Sequence, residues 1–208
     1  MGKAVGGAFG GPAGAILGSK LANLAARQLR EHELESHEFE LGEHELGESE
    51  LGEHEVAHQL AEHEAQAEAM ANYAAFSESE HEAEAFMGAA ASITLSPRDH
   101  RALRALVPNL VRGAAVLTRV LRMRPETKPF TRVVPTIMRR TVRTLRRSAA
   151  AGEPITRRRA GAIMARQTRR VLSSPRYCAA VLRRNVRATH AVKRGRPVTA
   201  RARRGRAV

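Results

Sequence analysis

The stretch that decides the fold is residues 96–112, SPRDHRALRALVPNLVR. Ser96 is a typical helix cap, Pro97 suits the first helical turn, and Asp99 completes a capping box. Apolar residues then recur at the three- and four-residue spacing of an amphipathic helix. They are Leu103, Leu106, Val107, Leu110, Val111, Ala114, Leu117 and Leu121.

A related phrase follows 27 residues later, since LRALVPNLVR at residues 103–112 matches FTRVVPTIMR at residues 130–139. The simplest interpretation is an internal duplication in which a helix begins at each proline, Pro108 and Pro135. Gly152 is a suitable residue to end the second helix.

Two more helices follow by the same criteria. Thr156 begins one, and Ser174 with Pro175 begins the next. In this last helix the spacing predicts four inward-facing residues, which are Cys178, Val181, Leu182 and Val186. The fold class is therefore mainly α, a small arginine-rich helical bundle over residues 96–190 with disordered acidic and basic flanks.

Arginines occupy the remaining faces of these helices and are the candidate anion-binding residues. They are Arg139, Arg140, Arg143, Arg146, Arg147, Arg157, Arg158, Arg159, Arg166, Arg169, Arg170, Arg183, Arg184 and Arg187.

Charge is strongly segregated along the chain. Residues 31–97 carry eighteen Glu and no Lys or Arg, whereas residues 98–208 carry thirty-one Lys or Arg and three acids. Such blocks indicate interaction surfaces and tails, and they attract each other within a chain or between chains. The last segment, residues 191–208, is predicted to be a disordered basic tail.

The acidic block contains a repeat, E-x-E-[LV]-[GA], at residues 38–42, 43–47, 48–52 and 53–57. A period of five places the apolar residue on no constant face of a helix or strand, so residues 31–58 are predicted to be disordered. Residues 59–95 are richer in Ala and are interpreted as a helical connector. Ser77 is the expected cap of its second helix.

Residues 1–30 form a Gly/Ala-rich segment with glycine at every fourth position from Gly2 to Gly18. A flexible leader is the simplest interpretation, because glycine is costly in a helix. The alternatives are helix self-association or peripheral membrane contact, and a cleaved export signal. The chain has no apolar run long enough to span a membrane and no convincing signal peptide, which favours a cytoplasmic location or export by a non-classical route.

Histidines in the acidic block raise the possibility of a metal site. His54-Glu-Val-Ala-His58 matches the zinc-protease pattern H-E-x-x-H, with His63 five residues further on. The match coincides with the fourth repeat and has no predicted folded scaffold, so no metal site is predicted and His54, His58 and His63 are only weak candidates for metal ligands. We predict no enzyme, no cofactor and no small-molecule substrate. The only cysteine, Cys178, is expected to lie in the core.

The order of these phrases resembles a group of bacterial proteins with E-F-E or E-H-E repeats ahead of an arginine-rich helical module. After the E-x-E repeat, the phrases are EHEAEAFMG at residues 80–88, LVRGAAVLTR at 110–119, VPTIMRRT at 134–141, ARQTRRVL at 165–172 and SPRYC at 174–178. The resemblance covers about residues 38–190. It implies no catalytic residues, and it suggests an accessory role near contractile injection systems related to phage tails.

Three functions are compatible with this sequence. The first is a non-enzymatic interaction or structural protein whose basic module binds an anionic macromolecule or an acidic protein surface. That surface would include its own acidic block or that of another copy. The second is non-specific binding of nucleic acid through the many basic residues. The low aromatic content of 3% counts against it, because few side chains are available to stack on bases. The third is binding to anionic lipid through residues 1–30 and the basic helices.

Overall fold

The computed structural model describes residues 60–195, and helices make up the whole of its regular structure there. The helices are α1 (Glu62–Phe76), α2 (Glu80–Thr94), α3 (Pro97–Ala102), α4 (Val107–Arg122), α5 (Val134–Ala150), α6 (Arg157–Leu172) and α7 (Pro175–Lys193). A 3-10 turn at Lys128–Val133 leads directly into α5. The mainly α fold class is confirmed. None of the helices in residues 60–195 has the length and apolar content needed to cross a membrane.

The helix starts lie where local sequence signals place them. The Asp99 backbone N–H donates to Ser96 Oγ over 3.2 Å, and the Ser96 N–H donates to Asp99 Oδ2 over 3.3 Å. This reciprocal capping box satisfies two N–H groups that the helix itself leaves unpaired. Thr156 caps α6 in the same way, accepting from the Arg159 N–H over 3.2 Å.

The two related phrases adopt the same local structure. α3 ends at Ala102, and α4 begins at Val107 with Pro108 in its first turn. α5 likewise begins at Val134 with Pro135 in its first turn. Proline fits there because its missing N–H would have no partner inside the helix. The prediction that a helix begins at each proline is confirmed.

The helical bundle is larger than the predicted module of residues 96–190. One continuous apolar core extends from α1 and α2 through α7, and α1 packs against both α2 and α7. Its largest fully buried apolar side chains are Met87, Leu110, Leu117, Leu121, Ile137, Met138, Leu145, Val120, Val133, Val134 and Val171. The segment interpreted as a connector therefore supplies two helices of the core.

Small side chains explain how α1 joins this core. Six alanines of α1 are buried, namely Ala65, Ala67, Ala69, Ala71, Ala74 and Ala75. Alanine favours the helix and lets neighbouring helices approach closely. Ser77 lies at the end of α1, and Ser79 caps α2 instead, accepting from the Glu82 N–H over 3.4 Å. The expected cap was therefore two residues early.

The inward face of α7 differs from the predicted one. Cys178 and Val181 are buried as expected, but Val186 is 37% exposed. Arg184 and Asn185 are buried in this part of the helix instead. Apolar spacing alone places Val186 near the inward face. Arg184 and Asn185 face inward instead, because both contact Glu68 of α1. Residues 1–59 and 196–208, which include the Gly/Ala-rich segment, the acidic repeat, His54 and His58, lie outside the described residues.

Candidate anion-binding surface

The last three helices carry nearly all of their charge as arginine. Residues 134–193 contain sixteen Lys or Arg and a single acid, Glu153, in the loop between α5 and α6. Residues 60–95 show the opposite composition, with seven Glu and no Lys or Arg. The bundle therefore joins two acidic helices to a strongly basic remainder.

Most of the predicted anion-binding arginines are solvent-exposed, and a few are not. Arg139, Arg140 and Arg159 are half-buried, and Arg184 is buried. The exposed ones are Arg143, Arg146, Arg147, Arg157, Arg158, Arg166, Arg169, Arg170, Arg183 and Arg187.

Some of these arginines already have partners within the bundle. Arg146 Nη1 lies 3.3 Å from Asp99 Oδ1, and Arg159 pairs with Glu153. Arg140 donates to Gln167 Oε1 over 2.8 Å, and its guanidinium lies 5.4 Å from the centre of the Tyr177 ring. The contacts of Arg140 join α5 to α6 and α7, and Arg146 joins α5 to α3, so these arginines are less available to a partner.

Arg139 and Arg184 must be removed from the predicted surface. Both bind an anion, but it is the carboxylate of Glu68, which is fully buried on α1. Arg139 Nη2 contacts Glu68 Oε1, and Arg184 Nη2 lies 3.5 Å from the same oxygen. A buried carboxylate needs such partners because its transfer out of water is costly.

Neutral groups complete the environment of Glu68. Asn185 Nδ2 donates to Glu68 Oε2 over 2.7 Å and to the Glu68 carbonyl oxygen over 2.8 Å. Thr136 Oγ1 accepts from Arg184 Nη2 over 2.6 Å and from Arg139 Nη2 over 3.1 Å. This network ties α1 to α5 and α7 at one point.

A second set of ion pairs holds the acidic helices on α4. Arg119 Nη2 lies 2.7 Å from Glu84 Oε1, and Arg119 Nε lies 3.1 Å from Glu80 Oε1. The hydrogen bond and charge of Glu84, followed by the charge of Glu80, raise the pKa of Arg119. Arg122 donates to the carbonyl oxygens of Ala74 and Ser77 at the end of α1, over 2.6 and 2.8 Å.

One outer face of α7 presents a row of basic residues, which we call the basic stripe. It consists of Arg176, Arg183, Arg187 and His190, together with Arg194, which directly follows the end of the helix at Lys193. Steps of seven, four, three and four residues keep all five on one side of a helix. All five are exposed, and none of the four arginines is paired with a carboxylate among residues 60–195.

The sequence prediction missed three members of the stripe, Arg176, His190 and Arg194. A helical wheel of residues 175–194 would have shown the alignment, because every stripe residue lies within about 60° of arc at 100° per residue. A surface recess lies at the end of the stripe, lined by Arg187, His190, Ala191 and Arg194. The helix itself contains no acidic residue.

The other candidate site residues carry no comparable arrangement. His63 is exposed on α1, and within residues 60–195 no group of three His, Cys, Asp or Glu residues is placed to hold a metal ion. Cys178 is 3% exposed and lies in the core, as predicted. Burial raises the pKa of its thiol to about 12, although the charge of Arg132 opposes this, so the thiol stays protonated at neutral pH.

Comparison with known proteins yields no match to a protein-family model, to a curated protein or to a solved structure.

Proposed function

We propose that this chain is a non-enzymatic interaction protein whose basic stripe on α7 binds acidic protein segments. The observation that carries the proposal is the row of four exposed arginines that no carboxylate of residues 60–195 neutralises. Unpaired guanidinium groups in a line create a positive potential that attracts an extended anionic partner.

The contacts inside the bundle favour a protein partner over nucleic acid. Carboxylates of α1 and α2 already bind arginines of α4, α5 and α7, as in the pairs Glu68–Arg139 and Glu84–Arg119. Arginine binds carboxylates well because its planar fork of N–H groups fits two oxygens. The stripe, by contrast, contains no Phe, Tyr or Trp, and His190 is its one ring on which a base could stack.

The resemblance to proteins near contractile injection systems adds a setting to this proposal. An accessory protein of such an assembly would use the stripe to bind an acidic surface of another component. The resemblance supports only the role near an injection system, and the exposed arginines support the binding surface.

Fluorescence anisotropy with a labelled polyglutamate peptide tests the proposal on the full chain. The variant Arg176→Gln, Arg183→Gln, Arg187→Gln removes three charges from the stripe. The matched control Arg101→Gln, Arg104→Gln, Arg112→Gln removes three exposed charges from α3, from the turn that follows it and from α4. We expect the stripe variant to bind about tenfold more weakly and the control to change less than about threefold at low salt.

Equal losses in the two variants would show that net charge alone attracts the peptide, and the proposal would be wrong. A parallel titration with duplex DNA separates the partner classes. DNA binding that is tighter than peptide binding and depends on the same three arginines would assign the stripe to nucleic acid instead.

A further inference from the structure

The start of the described chain lies against the helix that carries the stripe. Leu60 is buried in a small apolar cluster with Ala65 of α1 and Ala188 of α7, and Val192 packs against the same cluster. Ala188 and Val192 flank Arg187 and Ala191 in sequence, and Arg187 and Ala191 line the recess. Leu60 therefore lies within about one helical turn of Arg187, His190 and Arg194 along α7. It lies on the opposite side of that helix, because Ala188 and Val192 are about 120° and 160° from Arg194 at 100° per residue.

The segment that precedes Leu60 has the charge that the stripe attracts. Residues 31–58 contain eleven Glu and no Lys or Arg. Its last E-x-E unit, Glu53 and Glu55, is only five to seven residues from Leu60. A chain of seven residues reaches up to about 23 Å, whereas Arg176 and Ala188 are about 18 Å apart along α7. The repeat begins at Glu38, 22 residues before Leu60, and so spans up to about 70 Å when extended. This length is enough to pass around α7 and reach every stripe residue.

The same acidic block already binds arginine where the structure describes it. Of the seven Glu in residues 60–95, four lie within 4.0 Å of an arginine nitrogen. They are Glu64, Glu68, Glu80 and Glu84. Residues 31–58 are likewise rich in Glu and contain no Lys or Arg, and they directly precede this part of the chain.

We propose that residues 31–58 bind the basic stripe of their own chain and so compete with external acidic partners for it. This inference rests on the proposed function, because it assigns an occupant to the same surface. Attachment at Leu60 gives the segment an effective concentration of about a millimolar or more at the stripe, so weak contacts suffice. An external partner must then displace the repeat, which selects for longer or more densely charged acidic segments.

Zero-length carbodiimide cross-linking of the full chain tests the inference, because it joins a carboxylate only to an amine in direct contact. The variant Arg187→Lys places such an amine in the stripe. The control Arg112→Lys places one on an exposed position of α4. We expect links from Glu43–Glu55 to position 187 to exceed links to position 112 by about fivefold, and to fall in about 0.5 M salt.

A mixture of ¹⁴N- and ¹⁵N-labelled chains separates the possible occupants. Links within a single isotope support binding in the same chain. Light-to-heavy links that approach half of the total, the share expected when an equimolar mixture pairs at random, overturn the inference in favour of a second copy. Equal yields at positions 187 and 112 overturn it altogether.

The anisotropy measurement keeps the two proposals distinct. Polyglutamate binding that depends on the stripe, together with no cross-links to position 187, contradicts only the occupancy by residues 31–58. Loss of stripe-dependent peptide binding contradicts the proposed function. If removal of six repeat charges, Glu→Gln at 43, 45, 48, 50, 53 and 55, leaves peptide affinity unchanged, competition by the repeat is contradicted as well.

Discussion

Glu68 is the residue that decides which arginines remain available at the surface. It draws Arg139 and Arg184 inward, while the adjacent Arg183 stays exposed in the stripe. Neighbouring arginines in one Arg-Arg pair thus have opposite roles, because one faces a carboxylate and the other faces solvent. A charged side chain is tolerated inside only where such a partner exists.

Removal of this carboxylate is expected to be severely destabilising. Glu68→Ala removes the one fully buried carboxylate that both Arg139 and Arg184 contact, so we expect the free energy of unfolding to fall by about 3–5 kcal/mol. Urea denaturation followed by circular dichroism measures the change. Glu78→Ala, at an exposed position between α1 and α2, is the matched control and should change stability by less than about 0.5 kcal/mol. Similar losses in the two variants would contradict a central role for Glu68.

At the scale of elements, two glycines in helical contexts have different physical roles. Gly152 follows α5 with φ of 75°, where its N–H donates to the Ala149 carbonyl over 3.0 Å. The Glu153 N–H donates to the Ser148 carbonyl, also over 3.0 Å, which completes a Schellman motif. Gly88, by contrast, lies inside α2. A Cβ there would lie 4.0 Å from Val111 Cγ1, an ordinary contact.

Alanine substitution should therefore act in opposite directions at these two positions. Gly152→Ala forces a side chain into the left-handed region and should cost about 1–2 kcal/mol, although no atom lies within 4 Å of the new Cβ. Gly88→Ala should stabilise the protein by about 0.5–1 kcal/mol through higher helix propensity. Thermal melts of both variants check the signs. Stabilisation by Gly152→Ala would contradict the assigned backbone role.

The basic stripe is also a property of an element rather than of single residues. Its five members are spread over residues 176–194 and align only when that segment is one unbroken helix. The sequence prediction considered arginines that occur in groups along the chain. It therefore missed Arg176 and Arg194, which lie seven or more residues from the Arg183–Arg184 pair.

At the scale of the whole molecule, the folded unit includes both acidic helices. α1 and α2 cover the core formed by α4, α5 and α7, and they supply Glu68 and Glu84 to its arginines. Apolar burial and ion pairing therefore act together to hold the acidic helices on the basic ones.

A chain that begins at residue 96 should consequently fail to fold cooperatively. It would expose the apolar face that α1 and α2 cover and would leave Arg139 and Arg184 without Glu68. A chain that begins at residue 59 keeps both helices and serves as the control. Thermal denaturation followed by circular dichroism should show a sharp transition for the control and a broad or absent one for the shorter chain. A sharp transition in both would show that residues 96–195 fold independently.

What the amino-acid sequence by itself determined was the mainly α class, the start of each helix from α3 onward and the burial of Cys178. These features depend on a cap, a proline or an apolar spacing within one or two helical turns, so they are visible locally. The tertiary structure alone decided that α1 and α2 complete the core, that Arg139 and Arg184 face inward, and that Val186 does not. The physical reason is distance along the chain. Glu68 contacts Arg139 and Asn185, which are 71 and 117 residues away in sequence. A local sequence pattern cannot predict which buried carboxylate a distant arginine will contact.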